Sequence, residues 1–303
     1  MSRPPTWTPP PRTRATHLQT RRGRFAALDA RPVGVPQGTA LLVPGFTGSK
    51  EDFIALLEPL TQAGYRVVAV DGRGQYETDG PDTEEAYTQG ELAADILAQA
   101  EALGANGAGG ANGAGAPLHL LGHSFGGHLA RAAVLLDRTP FRSLTLLSSG
   151  PAEVAPAQRE KLKLLRDALT TMSMEDVWEA MRAMDAPTEE TPTDGADLRR
   201  RWLRTHPAQL IAAGRQLCSE PDRVAELAAV QPLPKHVMSG ERDDTWPVAW
   251  LDAMAVRLGA RRTVITGAQH SPNTDRPAAT AEALADFWDD AYWTTRTPKE
   301  RRQ

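Results

Sequence analysis

Leu118-His119-Leu120-Leu121-Gly122-His123-Ser124-Phe125-Gly126-Gly127 joins two kinds of periodicity within ten residues. A short apolar run enters it, and His128-Leu129-Ala130-Arg131-Ala132-Ala133-Val134-Leu135-Leu136 leaves it with the spacing of a helix. The segment predicts a strand, a sharp turn and a helix, with Ser124 at the tip of the turn. Such a turn strains the residue at its apex, and small neighbours make the strain tolerable. Gly122 and Gly126 leave the backbone room to close. The start of the following helix aims free N–H groups at any anion that forms nearby. A serine oxygen held there stands clear of the sheet. The motif is short and carries little weight by itself, so its surroundings decide.

Working upstream, Thr39-Ala40-Leu41-Leu42-Val43 is an apolar run ended by Pro44-Gly45, which suits a buried parallel strand. Ser49 is a good N-cap with Asp52 three residues on, and Phe53, Leu56, Leu57 and Leu60 recur at helical spacing. Tyr65–Val70 reads as the next strand, and Asp71-Gly72-Arg73-Gly74 as the loop at its carboxyl end. A helix follows from about Thr88 to Leu103, and Arg24–Ala30 reads as an edge strand. Downstream, Leu144–Leu147 is another buried strand. Helical pattern alone then fills the interval to Val230. The strand–helix rhythm resumes with His236-Val237-Met238, a helix around Trp246–Leu258, Thr263-Val264-Ile265, and a last helix from Ala278 to about Tyr292.

Repeated strand–helix units imply an α/β fold with a mostly parallel, doubly wound sheet. The helical interval implies a cap inserted after the strand ending near Ser148. The expected organisation is therefore an arm over residues 1–15, a core formed by 16–151 and 231–303, and a helical cap over 152–230. The arm is rich in proline and arginine, a composition that buries little and predicts an extended, poorly ordered tail. Residues 104–116 nearly repeat a glycine, alanine and asparagine pattern and read as a flexible linker.

The 303 residues can bury a large core. A net charge of −4 and a pI near 6.0, with no basic stripe, argue against a nucleic acid or an anionic membrane surface as partner. Cys218 stands alone, which excludes an intrachain disulfide and points to a reducing, cytoplasmic setting. No run approaches a membrane span. Arg21-Arg22 faintly suggests a twin-arginine signal, but the residues after it are charged again at once. The sequence does not fix the oligomeric state.

A serine hydroxyl is a poor nucleophile at neutral pH and needs a base within reach, which in turn needs an orienting acceptor. The two resumed strands supply both in the loops at their carboxyl ends. Glu241-Arg242-Asp243-Asp244-Thr245-Trp246-Pro247 follows one, and Gly267-Ala268-Gln269-His270-Ser271-Pro272 follows the other. Strand-end placement puts Ser124, His270 and an acid from Asp243 or Asp244 on one edge of the sheet, where open α/β sheets bind ligands. Glu153 is a more distant candidate acid. The remaining histidines show no metal-ligand spacing with one another, so neither a metal nor a cofactor is expected.

Over roughly residues 24–292 the chain resembles the α/β-hydrolase superfamily of esterases, lipases and related enzymes. The order nucleophile, acid, histidine is that family's, here Ser124, Asp243, His270. Gly240, Asp243 and Pro247 fill the family's acid motif, and Gly267 and His270 its histidine motif. The resemblance implies an oxyanion hole built from the backbone N–H groups of Phe125 and Phe46. It also implies a serine hydrolase that cleaves a small-molecule carboxylic ester through an acyl-enzyme. The same triad also serves thioesters, lactones, amides and carbon–carbon bonds, and a non-catalytic member would use the cleft only for binding. Two departures stand out. Pro44 replaces a histidine that usually braces the oxyanion loop, and Tyr76 replaces a glycine in the loop after Asp71 and Arg73.

In the cap, Met172, Trp178 and Met181 are candidates for a substrate pocket, with Met174 and Met184 at similar spacing. The alternative is that they pack the helix onto the core. Arg199-Arg200-Arg201 with Arg204 is either a recognition site for a substrate carboxylate or a solvated helical face.

Overall fold

In the computed structural model, which describes residues 2–105, 118–184 and 192–294, eight strands form one sheet in the order β1-β2-β4-β3-β5-β6-β7-β8. The strands are β1 (Thr13–Thr20), β2 (Gly23–Ala30), β3 (Gly38–Val43), β4 (Tyr65–Val70), β5 (Leu118–His123), β6 (Phe141–Leu147), β7 (Lys235–Gly240) and β8 (Arg261–Ile265). From β4 to β8 every neighbouring pair runs parallel, whereas β1 and β2 pair antiparallel and β2 lies antiparallel to β4. Parallel neighbours need long crossovers, and helices supply them. These are α1 (Ile54–Gln62), α2 (Gln89–Ala102), α3 (Phe125–Leu136), α4 (Pro156–Thr171), α5 (Met174–Met184), α6 (Pro192–Arg204), α7 (Pro207–Leu217), α8 (Val224–Ala229) and α9 (Val248–Leu258), while α10 (Pro272–Asp275) and α11 (Pro277–Thr294) follow the last strand.

The period of two along each strand decides which face a side chain joins. Leu41, Val43, Leu120, Leu144 and Leu146 point to one face and meet α2, α3, α8 and α9 through Ile96, Leu129, Leu227 and Met254. Leu42, Leu121, Leu147 and Met238 point to the other and meet α1 and α11 through Leu56, Leu60, Leu284 and Trp288. Each fully buried leucine contributes roughly 2 kcal/mol. Between β6 and β7 the described residues form five helices, the first four of which share an apolar cluster of Leu169, Val177, Trp178, Leu198, Trp202 and Leu210. Of these, α7 also joins the sheet's cluster through Ala213 and Leu217, and α8 joins it through Val224. Among the described residues no helix is long and apolar enough to cross a membrane.

Two sequence expectations need correction. The edge strand is β1, not Arg24–Ala30, which lies inside the sheet. Thr13–Thr20 half-buries one face, but that face is built mostly of threonine, so no apolar alternation betrays it. The proline-rich arm is also no loose tail: Pro4 is buried and Trp7 packs against the cap's apolar cluster. Its proline content forbids regular structure but leaves side chains free to fill a seam. Residues 106–116 of the glycine-rich insert lie outside the described residues.

Candidate active site

Ser124 sits between β5 and α3 with φ 54° and ψ −121°, a conformation that costs a non-glycine residue on the order of 1–3 kcal/mol. The surroundings hold it there. Its N–H donates to the Leu147 carbonyl on the neighbouring strand at 2.8 Å. A Cβ on Gly126 would fall 2.4 Å from the carbonyl oxygens of Val43 and Pro44, and one on Gly122 would fall 2.2 Å from the Gly126 oxygen. Both glycines are therefore required by close backbone approach.

Ser124 Oγ lies 3.0 Å from His270 Nε2, and His270 Nδ1 lies 3.0 Å from each Asp243 carboxylate oxygen. A carboxylate accepts only, so Nδ1–H donates to Asp243 and Nε2 is left to accept from the Ser124 hydroxyl. The Asp243 side chain is fully buried, and Oδ1 also accepts from the N–H groups of Thr245 and Trp246 at 2.8 and 3.1 Å. His270 keeps 30% of its side chain exposed, on the side open to a ligand. Asp244 is exposed, and Glu153 is bound to Arg159 at 2.7 Å, so neither competes for the imidazole. Trp246 anchors the acid's loop: fully buried, it donates its indole N–H to the carbonyls of Ala152 and Glu153, where the cap begins.

The Phe125 N–H heads α3, and the Phe46 N–H lies in the loop after β3. Among the described residues neither has a hydrogen-bond partner. The bracing that Pro44 cannot give comes from Gln75, whose amide donates to the Gly45 carbonyl at 2.7 Å and accepts from the Gly72 N–H at 2.9 Å. Gln75 lies in the loop whose departure at Tyr76 the sequence already marked, though nothing there named the glutamine. Asp71 and Arg73 are structural: Asp71 accepts from Lys50 and Arg73 from its side binds Asp95.

His123 was missed. Its Nε2–H donates to the His270 carbonyl at 3.0 Å, and the two rings lie 5.3 Å apart. Burial, helped by the neighbouring His270, pushes its pKa down to about 3, so the ring is neutral near pH 7. Only its position next to Ser124 could have signalled it.

These groups open on a cavity of about 510 Å³, a size suited to a small organic ligand. Leu162, Leu165, Met181 and Leu217 give it apolar walls opposite Phe46 and His270. Of the three cap residues expected there, Met181 lines the cavity. Trp178 is instead buried within the cap's own cluster, and Met172, 41% exposed at the end of α4, faces outward. The spacing of Leu162, Leu165 and Leu169 on α4 was the better signal. The arginine run also needs correction. Arg199 binds Glu175, Arg200 binds Asp197 and Arg204 reaches Glu77 at 3.8 Å. Arg201, by contrast, has no exposure and bonds Asp52 at 2.7 Å, tying the cap to the turn after β3. It is neither a solvated side chain nor part of the cavity wall.

Residues 40–283 match the sequence model of the Alpha/beta hydrolase family. A comparison with curated protein sequences finds no match. Among solved structures, the chain is similar to a hydrolase from Pseudomonas aeruginosa PA01, with 21% identity and a TM-score of 0.72 over 90% of this chain and 98% of that one. A thermophilic esterase from Thermogutta terrifontis gives 21% and 0.72 over 92% and 99%. An enol-lactonase from Burkholderia xenovorans LB400 gives 18% and 0.73 over 90% and 100%. Identities this low establish shared architecture, while the sequence match spans most of the chain; the protein belongs to the alpha/beta hydrolase family.

Proposed function

We propose that the protein is a serine hydrolase that cleaves carboxylic esters of small molecules through an acyl-enzyme. The hydrogen bond between Ser124 Oγ and His270 Nε2, continued to the buried Asp243, carries this reading. His270 takes the Ser124 proton as Oγ attacks the acyl carbon, and Asp243 stabilises the imidazolium that forms. The negative oxygen of the tetrahedral intermediate rests on the Phe46 and Phe125 amides, each such donor being worth about 3 kcal/mol to the barrier. His270 returns the proton to the departing alcohol, and water repeats the sequence to release the acid. These steps need no metal or cofactor. The esterase and lactonase among the structural neighbours are compatible with acyl transfer to water. The lone Cys218 favours a reducing, cytoplasmic setting.

The test is hydrolysis of p-nitrophenyl esters of increasing acyl length by the parent and by Ser124→Ala, alongside labelling with a fluorophosphonate. The expected result is turnover and labelling in the parent, with both lost in the variant. An unlabelled, inactive parent would refute a reactive Ser124. Labelling without ester turnover would move the substrate to a thioester, lactone or amide.

A further inference from the structure

Two residues of the cavity wall, Ser2 and Arg3, come from the proline-rich arm and have no part in the steps above. The arm is fastened at several points. Ser2 Oγ shares a hydrogen bond of 3.0 Å with Ser271 Oγ, the residue after His270. The Ser2 carbonyl accepts from Arg201 Nη2 at 2.7 Å, while Nη1 of the same buried guanidinium holds Asp52. Pro4 is buried, and Trp7 meets Tyr76 edge-on at 6.1 Å with the Arg201 guanidinium 5.5 Å over its ring. Beyond it, the Thr13 N–H donates to the Pro10 carbonyl as the chain enters β1. Arg201 thus grips the arm and the core at once from inside the cap.

From this arrangement we infer that Ser2 and Arg3, held in place by the contacts of Pro4 and Trp7, form a built wall of the acyl cavity and set the length of acyl chain accepted. The inference rests on the acyl-transfer reading of the same site. The segment has few backbone bonds of its own, so its position depends on the Arg201, Ser271 and Trp7 contacts. Leu162, Leu165 and Met181 supply apolar surface for an acyl chain, and the arm limits how far along that surface the chain runs. Loosening the arm at Trp7, or trimming Arg3, lengthens the cavity rather than altering the Ser124–His270 geometry.

The experiment compares kcat/KM on p-nitrophenyl butyrate and dodecanoate for the parent, Trp7→Ala and Arg3→Ala, each confirmed folded by circular dichroism. Each newly accommodated methylene is worth about fourfold. Admitting two more carbons therefore raises the dodecanoate-to-butyrate ratio about fifteenfold. Binding of butanoate, octanoate and dodecanoate to the Ser124→Ala protein, with and without Trp7→Ala, reads the same length limit without turnover. A length limit that shifts with Trp7→Ala supports the wall, and if the parent turns over no ester it does so while the acyl-transfer reading fails. Identical ratios in both variants, together with identical carboxylate binding with and without Trp7→Ala, would overturn the wall.

Discussion

Lowering the pH from 7.5 to 5 sets four buried histidines against the fold. His119, wedged between Tyr65 and Trp288, His123 beside Ser124, and His236 against Phe287 have pKa values pushed from 6.5 to about 3, in each case chiefly by burial. Arg142, His270, and Arg261 with Arg262 add repulsion to the respective rings. His128, buried against Trp246, moves in the same direction. A pKa depressed by folding means that the unfolded chain binds protons first. The stabilisation is whole above 6.5 and is lost as pH falls toward 3. At pH 5 the shortfall is about 1.5 units per ring, or roughly 2 kcal/mol each and about 6 kcal/mol for the three. Asp71 acts in the opposite sense. Burial, with Glu51 adding repulsion against the attraction of Lys50, pushes its carboxyl from 3.8 up to about 7, so its protonation returns part of that loss over the same interval. The net expectation is a loss of a few kcal/mol, increased by His128, from a total that is ordinarily about 5–15 kcal/mol. Urea unfolding followed by tryptophan fluorescence at pH 7.5, 6.5, 5.5 and 5 measures it. Replacing His119 by Gln should flatten the slope by one proton's worth. A midpoint that stays level or rises as the pH falls would refute the reasoning.

Two further outcomes follow from single contacts. Asp243→Asn presents an amide to His270 Nδ1 and favours the wrong tautomer, so kcat should fall on the order of 10³–10⁴-fold while exposed Asp244→Asn changes little; the reverse ranking, measured on one ester, would reassign the acid. Arg201→Met strands the buried Asp52 carboxylate and should cost about 3–5 kcal/mol in urea unfolding, partly recovered when Asp52→Asn is added; a loss below about 1 kcal/mol would mean that this pair does not secure the cap.

The strand–turn–helix around Ser124, the order of parallel strands and the loops bearing Asp243 and His270 were legible because each follows from local periodicity and a strand end. What stayed hidden depends on who meets whom across the fold. Thr13–Thr20 pairs through its backbone and turns mostly threonine to its half-buried face, so its side chains carry no apolar pattern. Arg201 reads as one of three adjacent arginines until Asp52, 149 positions away, turns out to face it. Trp178 and Met181 share a helix, and only its packing sends one into the cap's core and the other to the cavity. Gln75 and His123 act through the backbone carbonyls of Gly45 and His270, and a carbonyl acceptor leaves no mark in a sequence.

The indole of Trp246 gives the cap and the acid a common point of reference. The residue travels with Asp243, yet its N–H is satisfied by Ala152 and Glu153, the first residues after the β6 turn. Exchanging one cap for another is a natural way to give such a scaffold new substrates, but the junction is not neutral. A replacement joined at residue 152 would shift the carboxylate that orients His270, whereas one joined after Ala155 would inherit the registration unchanged. The useful boundary for recombining this protein therefore lies a few residues inside the helical insertion rather than at its edge.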